Sequence, residues 1–250
     1  MVSYYDTNGI LEINLGTISN NYKNIKQSLK KKVCCAAVIK ANAYGLGIKQ
    51  ISKILVDSGC KNFFVANMLE GKKLRSILKD NNENDQAEIY ILHGPTEKNL
   101  NIYKKFNLQP VINSIYQLNK WKEYASLNNF KSNIALHFDS GMNRLGLNKN
   151  EVDSLKNNKN YLKNLNISLL MSHLSCSEEL NNTMNNQQRE YFDKVANFFP
   201  GSKKSLANSA GTLLNHSFHY DMVRVGIILY IGNQSLNSNV ALNNSIKLKT

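Results

Sequence analysis

Short apolar runs and longer stretches of helical periodicity take turns along this chain. The runs at 33–39, 63–66, 88–92, 108–112, 133–138, 165–171, 205–208 and 222–225 read as buried strands, each bounded by turn residues. Between them, apolar residues return every three or four positions at 48–58, 68–78, 97–105, 115–127, 151–158 and 184–198. That is the spacing of amphipathic helices. Residues 209–214 read as a helical turn. A further strand, 11–15, comes first and leads into a helix that Thr17 or Ser19 can cap and that runs to about Lys31. Counted from Val33, the pattern gives eight strands with helical segments between them. Strand–helix alternation with short connections implies an α/β fold with a parallel sheet. Eight such units predict a (β/α)8 TIM barrel, which typically takes ~250 residues. An open doubly wound sheet is the competing arrangement, but its glycine-rich GxGxxG turn is missing.

A chain of 250 residues can bury one large core. No apolar run approaches the ~18 residues of a membrane span. Residues 1–6 have neither the basic cap nor the apolar stretch of a secretory signal. Cys34, Cys35, Cys60 and Cys176 form no CxxC pair and no metal-ligand spacing, so they read as reduced thiols of a cytoplasmic protein. The net charge of +13 raises the question of nucleic acid. The lysines, however, are scattered among asparagines, as at 156–160, with no interleaved aromatic residues, which fits a solvated face. Against so many lysines, the few arginines stand out. Arg144 and Arg224 lie in glycine-bearing loops after apolar runs, where a guanidinium fork can take a carboxylate or phosphate. Arg75 and Arg189 fall on predicted helices and read as surface residues.

The chemistry concentrates at 36–47, where an apolar run ends in Lys40 and a small-residue turn follows, with Gly45 and Gly47. A lysine at a strand end can simply reach solvent. In an apolar, partly desolvated site it has a lowered pKa and can condense with an aldehyde. In a barrel, chemistry sits in the loops after the strands. Lys40 follows the first barrel strand, Arg144 the fifth, His173 the sixth, Ser209 the seventh and Arg224 the eighth. His93, after the third, is a weaker candidate.

The string Val38-Ile39-Lys40-Ala41-Asn42-Ala43-Tyr44-Gly45-Leu46-Gly47 closely resembles the cofactor-attachment motif of alanine racemases, with Leu46 where that family usually has histidine. Asp139-Ser140-Gly141-Met142-Asn143-Arg144-Leu145-Gly146, Ser172-His173-Leu174, Asn208-Ser209-Ala210-Gly211 and Arg224-Val225-Gly226-Ile227 resemble further segments of the family, in the same order. The resemblance implies pyridoxal 5'-phosphate carried on Lys40 and interconversion of L-alanine and D-alanine, the latter for peptidoglycan. Tyr44, Asn208, Ser209, Gly226 and Ile227 would serve the phosphate. His173 would pack beside the ring, Arg224 would donate to the ring nitrogen, and Arg144 would meet the substrate carboxylate. His137 stands where the family often has a lysine, sometimes carbamylated, that orients this arginine. The family's second base is a tyrosine from a C-terminal β-domain reaching across a homodimer interface, and no matching motif occurs here. We therefore expect a barrel over 1–232, with 233–250 as a linker and the opening strand of a truncated β-domain. The alternative is a single-domain carrier of the cofactor without racemase activity.

Overall fold

The computed structural model describes residues 9–80, 86–130, 133–232 and 239–249. Strand β1 (Ile10–Ile13) enters helix α1 (Leu15–Ser28) through Asn14, whose side chain accepts the Thr17 N–H (2.9 Å). Asn14 is therefore the cap, in place of the expected Thr17 or Ser19. The barrel begins with β2 (Cys34–Val38), followed by the short turn α2 (Lys40–Tyr44) and helix α3 (Ile48–Asp57). Then come β3 (Asn62–Val65), α4 (Met68–Asp80), β4 (Glu88–Ile91), α5 (Leu100–Lys105), β5 (Gln109–Ile112), α6 (Ile115–Leu127) and β6 (Asn133–His137). The series continues with α7 (Lys149–Asn157), β7 (Asn166–Met171), α8 (Thr183–Ala196), β8 (Lys203–Ser205), β9 (Met222–Val225) and the short α9 (Ile228–Ile231). Helix α5 starts later than its periodicity predicts, because Asn99 bonds back to the Thr96 N–H (2.9 Å) and holds a turn there.

Among the described residues, β2 to β9 form one sheet of eight parallel strands, in the order β8-β7-β6-β5-β4-β3-β2-β9. The two outermost strands meet. Asp221 N–H donates to the Lys204 carbonyl (3.0 Å), Arg224 N–H to the Ala207 carbonyl (3.0 Å) and the Ser205 hydroxyl to the Met222 carbonyl (2.7 Å). The sheet thus closes into a (β/α)8 barrel. Strand β10 (Ile246–Lys249) lies outside it and pairs antiparallel with β1, Leu248 opposite Leu11. The expected domain boundary at 232–233 adjoins residues 233–238, which lie outside the described ones.

The core has two parts. Ala36, Phe64, Tyr90, Val111, Ala135, Leu169, Met171 and Met222 pack inside the barrel, with Phe64 stacked on Tyr90 (4.6 Å). The larger cluster lies between barrel and helices. Side chains alternate along a strand. Lys40 comes two residues beyond Val38, and His137, His173 and Arg224 come two residues beyond Ala135, Met171 and Met222. The same alternation that fills the barrel places a polar layer at its C-terminal mouth.

Arg75 corrects a sequence expectation. It is fully buried rather than on the surface, and donates to the carbonyls of Ala87 (2.7 Å), Phe106 (3.0 Å) and Asn107 (2.8 Å). It ties α4 to the segments entering β4 and β5. Arg189 is half-buried, its guanidinium 5.4 Å from the Phe218 ring centroid.

Candidate active site

Lys40 leaves the barrel on an unusual turn. Ala41, Asn42, Ala43 and Tyr44 all adopt left-handed conformations, with φ of 52°, 55°, 55° and 55°. Each such non-glycine residue costs about 1–2 kcal/mol when they run in sequence. The turn is therefore held from outside. Ala41 N–H donates to Glu70 Oε1 (2.8 Å), and Asn42 Oδ1 accepts the Ile48 N–H (3.1 Å) at the start of α3. The Gly47 N–H returns to the Asn42 carbonyl (2.9 Å). Gly45, at φ 88°, ends the turn in a conformation that glycine adopts freely.

A cavity of about 720 Å³ opens at this end of the barrel. Lys40, Tyr44, Arg144, His173, Asn208, Ser209, Arg224, Gly226 and Ile227 all line it, and so do His93, His137 and Glu178. A larger hollow of about 990 Å³ at the opposite end, around Lys122, Asn129 and Asn166, brings together no comparable chemistry. Burial pushes the Lys40 amine below the ordinary lysine range, the nearby Arg144 charge pushes it further, and Glu70 opposes both. Arg144 itself is exposed, on a loop closed by Asp139 N–H to the Leu147 carbonyl (3.0 Å) and Leu147 N–H to the His137 carbonyl (2.7 Å). Asp139 serves the loop backbone, accepting from Gly141 (2.9 Å) and Asn143 (3.1 Å). Among the described residues no ion pair holds Arg144.

Arg224 is the opposite case. It is buried, and its terminal nitrogens donate to the carbonyls of Ser172 (2.5 Å), Ser205 (2.9 Å) and Leu206 (3.3 Å) and to the Ser205 hydroxyl. Burial brings it down to about 9, so it stays a cation at neutral pH. Burial, reinforced by this cation, keeps His137 and His173 neutral. Burial first, then Arg224, pushes His137 down to about 3 and His173 well below the ordinary histidine range.

The histidine tautomers follow from two asparagines. Asn113 Nδ2 donates to the carbonyls of Leu92 (2.9 Å) and Val111 (3.1 Å), so its oxygen faces His137 Nδ1 (2.8 Å) and that nitrogen carries the proton. His137 Nε2 is left as a bare acceptor. Asn208 Oδ1 accepts from the Ser177 hydroxyl (2.8 Å) and the Gly211 N–H (2.9 Å), so its amide nitrogen faces His173 Nε2 (3.4 Å). His173 therefore carries its proton on Nδ1 as well.

Ser209 Oγ accepts the Gly226 N–H (2.9 Å), and Tyr44 packs so closely over Gly226 that a β-carbon there would collide with the phenol oxygen. Three segments, the Lys40 turn and the loops after β8 and β9, thus bring hydroxyl and amide donors to one point. The expected helix start at 209–214 is a short 3-10 turn (Ala210–Leu213), and its Gly211 N–H already serves Asn208. The sequence reading missed Glu70 and Asn113. Asn67 and Glu70 have capping-box spacing, a signal for a helix cap only.

Comparison with known proteins agrees with this geometry. The family model for the alanine racemase N-terminal domain matches residues 13–234. Alanine racemase of Rickettsia canadensis is 40% identical over 232 residues, 93% of this chain and 64% of that protein. The Rickettsia prowazekii alanine racemase is 38% identical over 236 residues, covering 94% of this chain and 56% of its own length. The chain thus spans less than two thirds of these relatives. Among solved structures, alanine racemase from Bartonella henselae, with covalently bound pyridoxal phosphate, superposes with a TM-score of 0.87 at 32% identity, covering 96% of this chain and 68% of that one. The biosynthetic alanine racemase of Pseudomonas aeruginosa gives a TM-score of 0.82 at 28% identity, covering 96% and 65%. With nearly its whole length inside that pattern, the chain belongs to the alanine racemase N-terminal domain family.

Proposed function

We propose that this chain is the cofactor-binding barrel of a pyridoxal-phosphate-dependent racemase that interconverts L-alanine and D-alanine. The observation that carries the reading is the shared cavity. A half-buried lysine, two arginines of opposite exposure and a tight cluster of hydroxyl and amide donors face one space. The donor set fits the cofactor. Tyr44, Ser209 and the Gly226–Ile227 backbone suit a phosphate, at the place where TIM barrels commonly bind one. Glycine is required at 226 because Tyr44 occupies the space of a β-carbon. Bound there, pyridoxal phosphate would supply an electron sink that acidifies the α-hydrogen of an amino acid.

The protein's part is binding and proton transfer. Lys40 anchors the cofactor and then moves the proton at Cα on its own face of the substrate. Its lowered pKa makes the free amine more available for this. Arg144, exposed and unpaired among the described residues, receives the substrate carboxylate. Arg224 donates to the ring nitrogen without giving up its proton, which limits the charge drawn from Cα and favours return of the proton there. Neutral His173 packs beside the ring. We assign the proton on the opposite face to a second copy of the full-length protein in a homodimer. The setting is cytoplasmic and the product serves peptidoglycan. Among the described residues no helix is long and apolar enough to cross a membrane, and the four cysteines are free thiols.

The test is D-alanine in D₂O with the chain and added pyridoxal phosphate, followed by NMR at the α-position and by product chirality. Loss of the α-proton without inversion is the expected result for one working base. Inversion would mean that a residue within this chain supplies the second base. No exchange, with the cofactor nonetheless bound, would overturn the catalytic reading in favour of a carrier.

A further inference from the structure

Glu70 occupies the first turn of α4, and its N–H is capped by Asn67 Oδ1 (3.1 Å). Its carboxylate does not fold back onto the cap residue, as in a capping box. Oε2 accepts the Ala66 N–H (2.8 Å) and Oε1 accepts the Ala41 N–H (2.8 Å). One bond reaches the loop after β3. The other crosses to the residue immediately after Lys40, the first of the four in left-handed conformation. That peptide plane sets the direction in which the lysine side chain leaves the backbone. The carboxylate also contributes an opposing charge to a cation that Arg144 repels. Short charge-assisted bonds of this kind are about twice as strong as neutral ones.

We propose that Glu70 is the positioning residue of the active-site lysine: its carboxylate fixes the peptide following Lys40 against the loop after β3 and supplies the counter-charge to the Lys40 ammonium. The proposal rests on the reading of Lys40 as the reactive amine, but its test needs no cofactor. The charged groups acting on Lys40 are Arg144 and Glu70; His173 and His137 nearby are neutral, and Arg224, His93 and Glu178 line the same cavity. Loss of Glu70 therefore removes the charge that opposes burial and Arg144 at this amine.

The experiment is competitive acylation of the cofactor-free chain across pH, with Lys40 read by peptide mass spectrometry. Glu70→Gln keeps the side-chain shape, removes the charge and can accept only one of the two amides. The titration midpoint of Lys40 should fall measurably below the parent's. Glu70→Asp restores the charge at shorter reach and should recover most of that midpoint. A Lys40 midpoint in Glu70→Gln equal to the parent's would overturn the proposal, whatever happens to stability. Failure of cofactor binding in the parent would instead count against the racemase reading and leave this measurement interpretable.

Discussion

Gly226→Ala tests whether Tyr44 and the loop after β9 form one cradle. Gly226 does not have a left-handed φ, so alanine meets no backbone penalty there. The obstacle is steric. The new β-carbon would collide with the Tyr44 phenol oxygen and lie 3.1 Å from Tyr44 Cζ and 3.2 Å from Val38 Cβ. Tyr44 has little room to retreat, because its ring packs on Tyr230 at 5.4 Å and its backbone belongs to the left-handed turn. Overpacking of that kind costs about 1–3 kcal/mol. At a slope of about 3 kcal/mol per M, this lowers a urea midpoint by about 0.3–1 M. Displacing the hydroxyl should also weaken pyridoxal phosphate binding about tenfold or more, read by absorbance titration. Tyr44→Phe removes the nearest atom of the clash. The double variant should therefore recover a large part of the stability that Gly226→Ala loses, a coupling the two single variants expose. Strict additivity of the urea midpoints would refute the contact as the reason for glycine at this position.

Two further predictions concern buried cations and neutral histidines. Arg75→Met leaves the carbonyls of Ala87, Phe106 and Asn107 without their charged donor and should cost about 3–5 kcal/mol in denaturant unfolding; a loss under 1 kcal/mol would contradict the burial described. His137 stays neutral down to about pH 3 when folded but takes a proton near pH 6.5 when unfolded. The unfolded state thus binds more protons between those values, so this contribution is complete above about pH 6.5 and is lost as pH falls towards 3. Between pH 7 and pH 5 it amounts to about 2 kcal/mol, and His173 acts in the same direction. His137→Gln should reduce the stability lost over that interval by this amount, and an unchanged pH dependence would contradict the neutral assignment.

The barrel was legible because two periods alternate cleanly. Strand residues two apart share a face, so the apolar filling of the barrel and the polar layer above it follow from one rule. Lys40, His173 and Arg224 follow that alternation at the strand ends, whereas Arg144 and Ser209 lie on the loops after β6 and β8. Details that depend on distant backbone were not legible. Arg75 looked like a surface residue of α4, since its acceptors lie in segments entering other strands and no local pattern marks them. Nothing in Ala41-Asn42-Ala43-Tyr44 except the asparagine favours positive φ, so the left-handed turn is imposed by its surroundings. Glu70 showed its helix-capping spacing but not its partner Ala41, 29 residues earlier. The short strand β8 covers 203–205 rather than the expected 205–208, and beyond it the Asn208 side chain accepts the Gly211 N–H of the Ala210–Leu213 turn.

The central claim is that Lys40 is the amine that holds pyridoxal phosphate. The direct measurement is borohydride reduction of the chain incubated with the cofactor, followed by proteolysis and mass spectrometry of the labelled peptides. One stoichiometric label on Lys40, absent from Lys40→Ala and weakened in Gly226→Ala, is the predicted result. Label spread over surface lysines, or unchanged total label in Lys40→Ala, would contradict it.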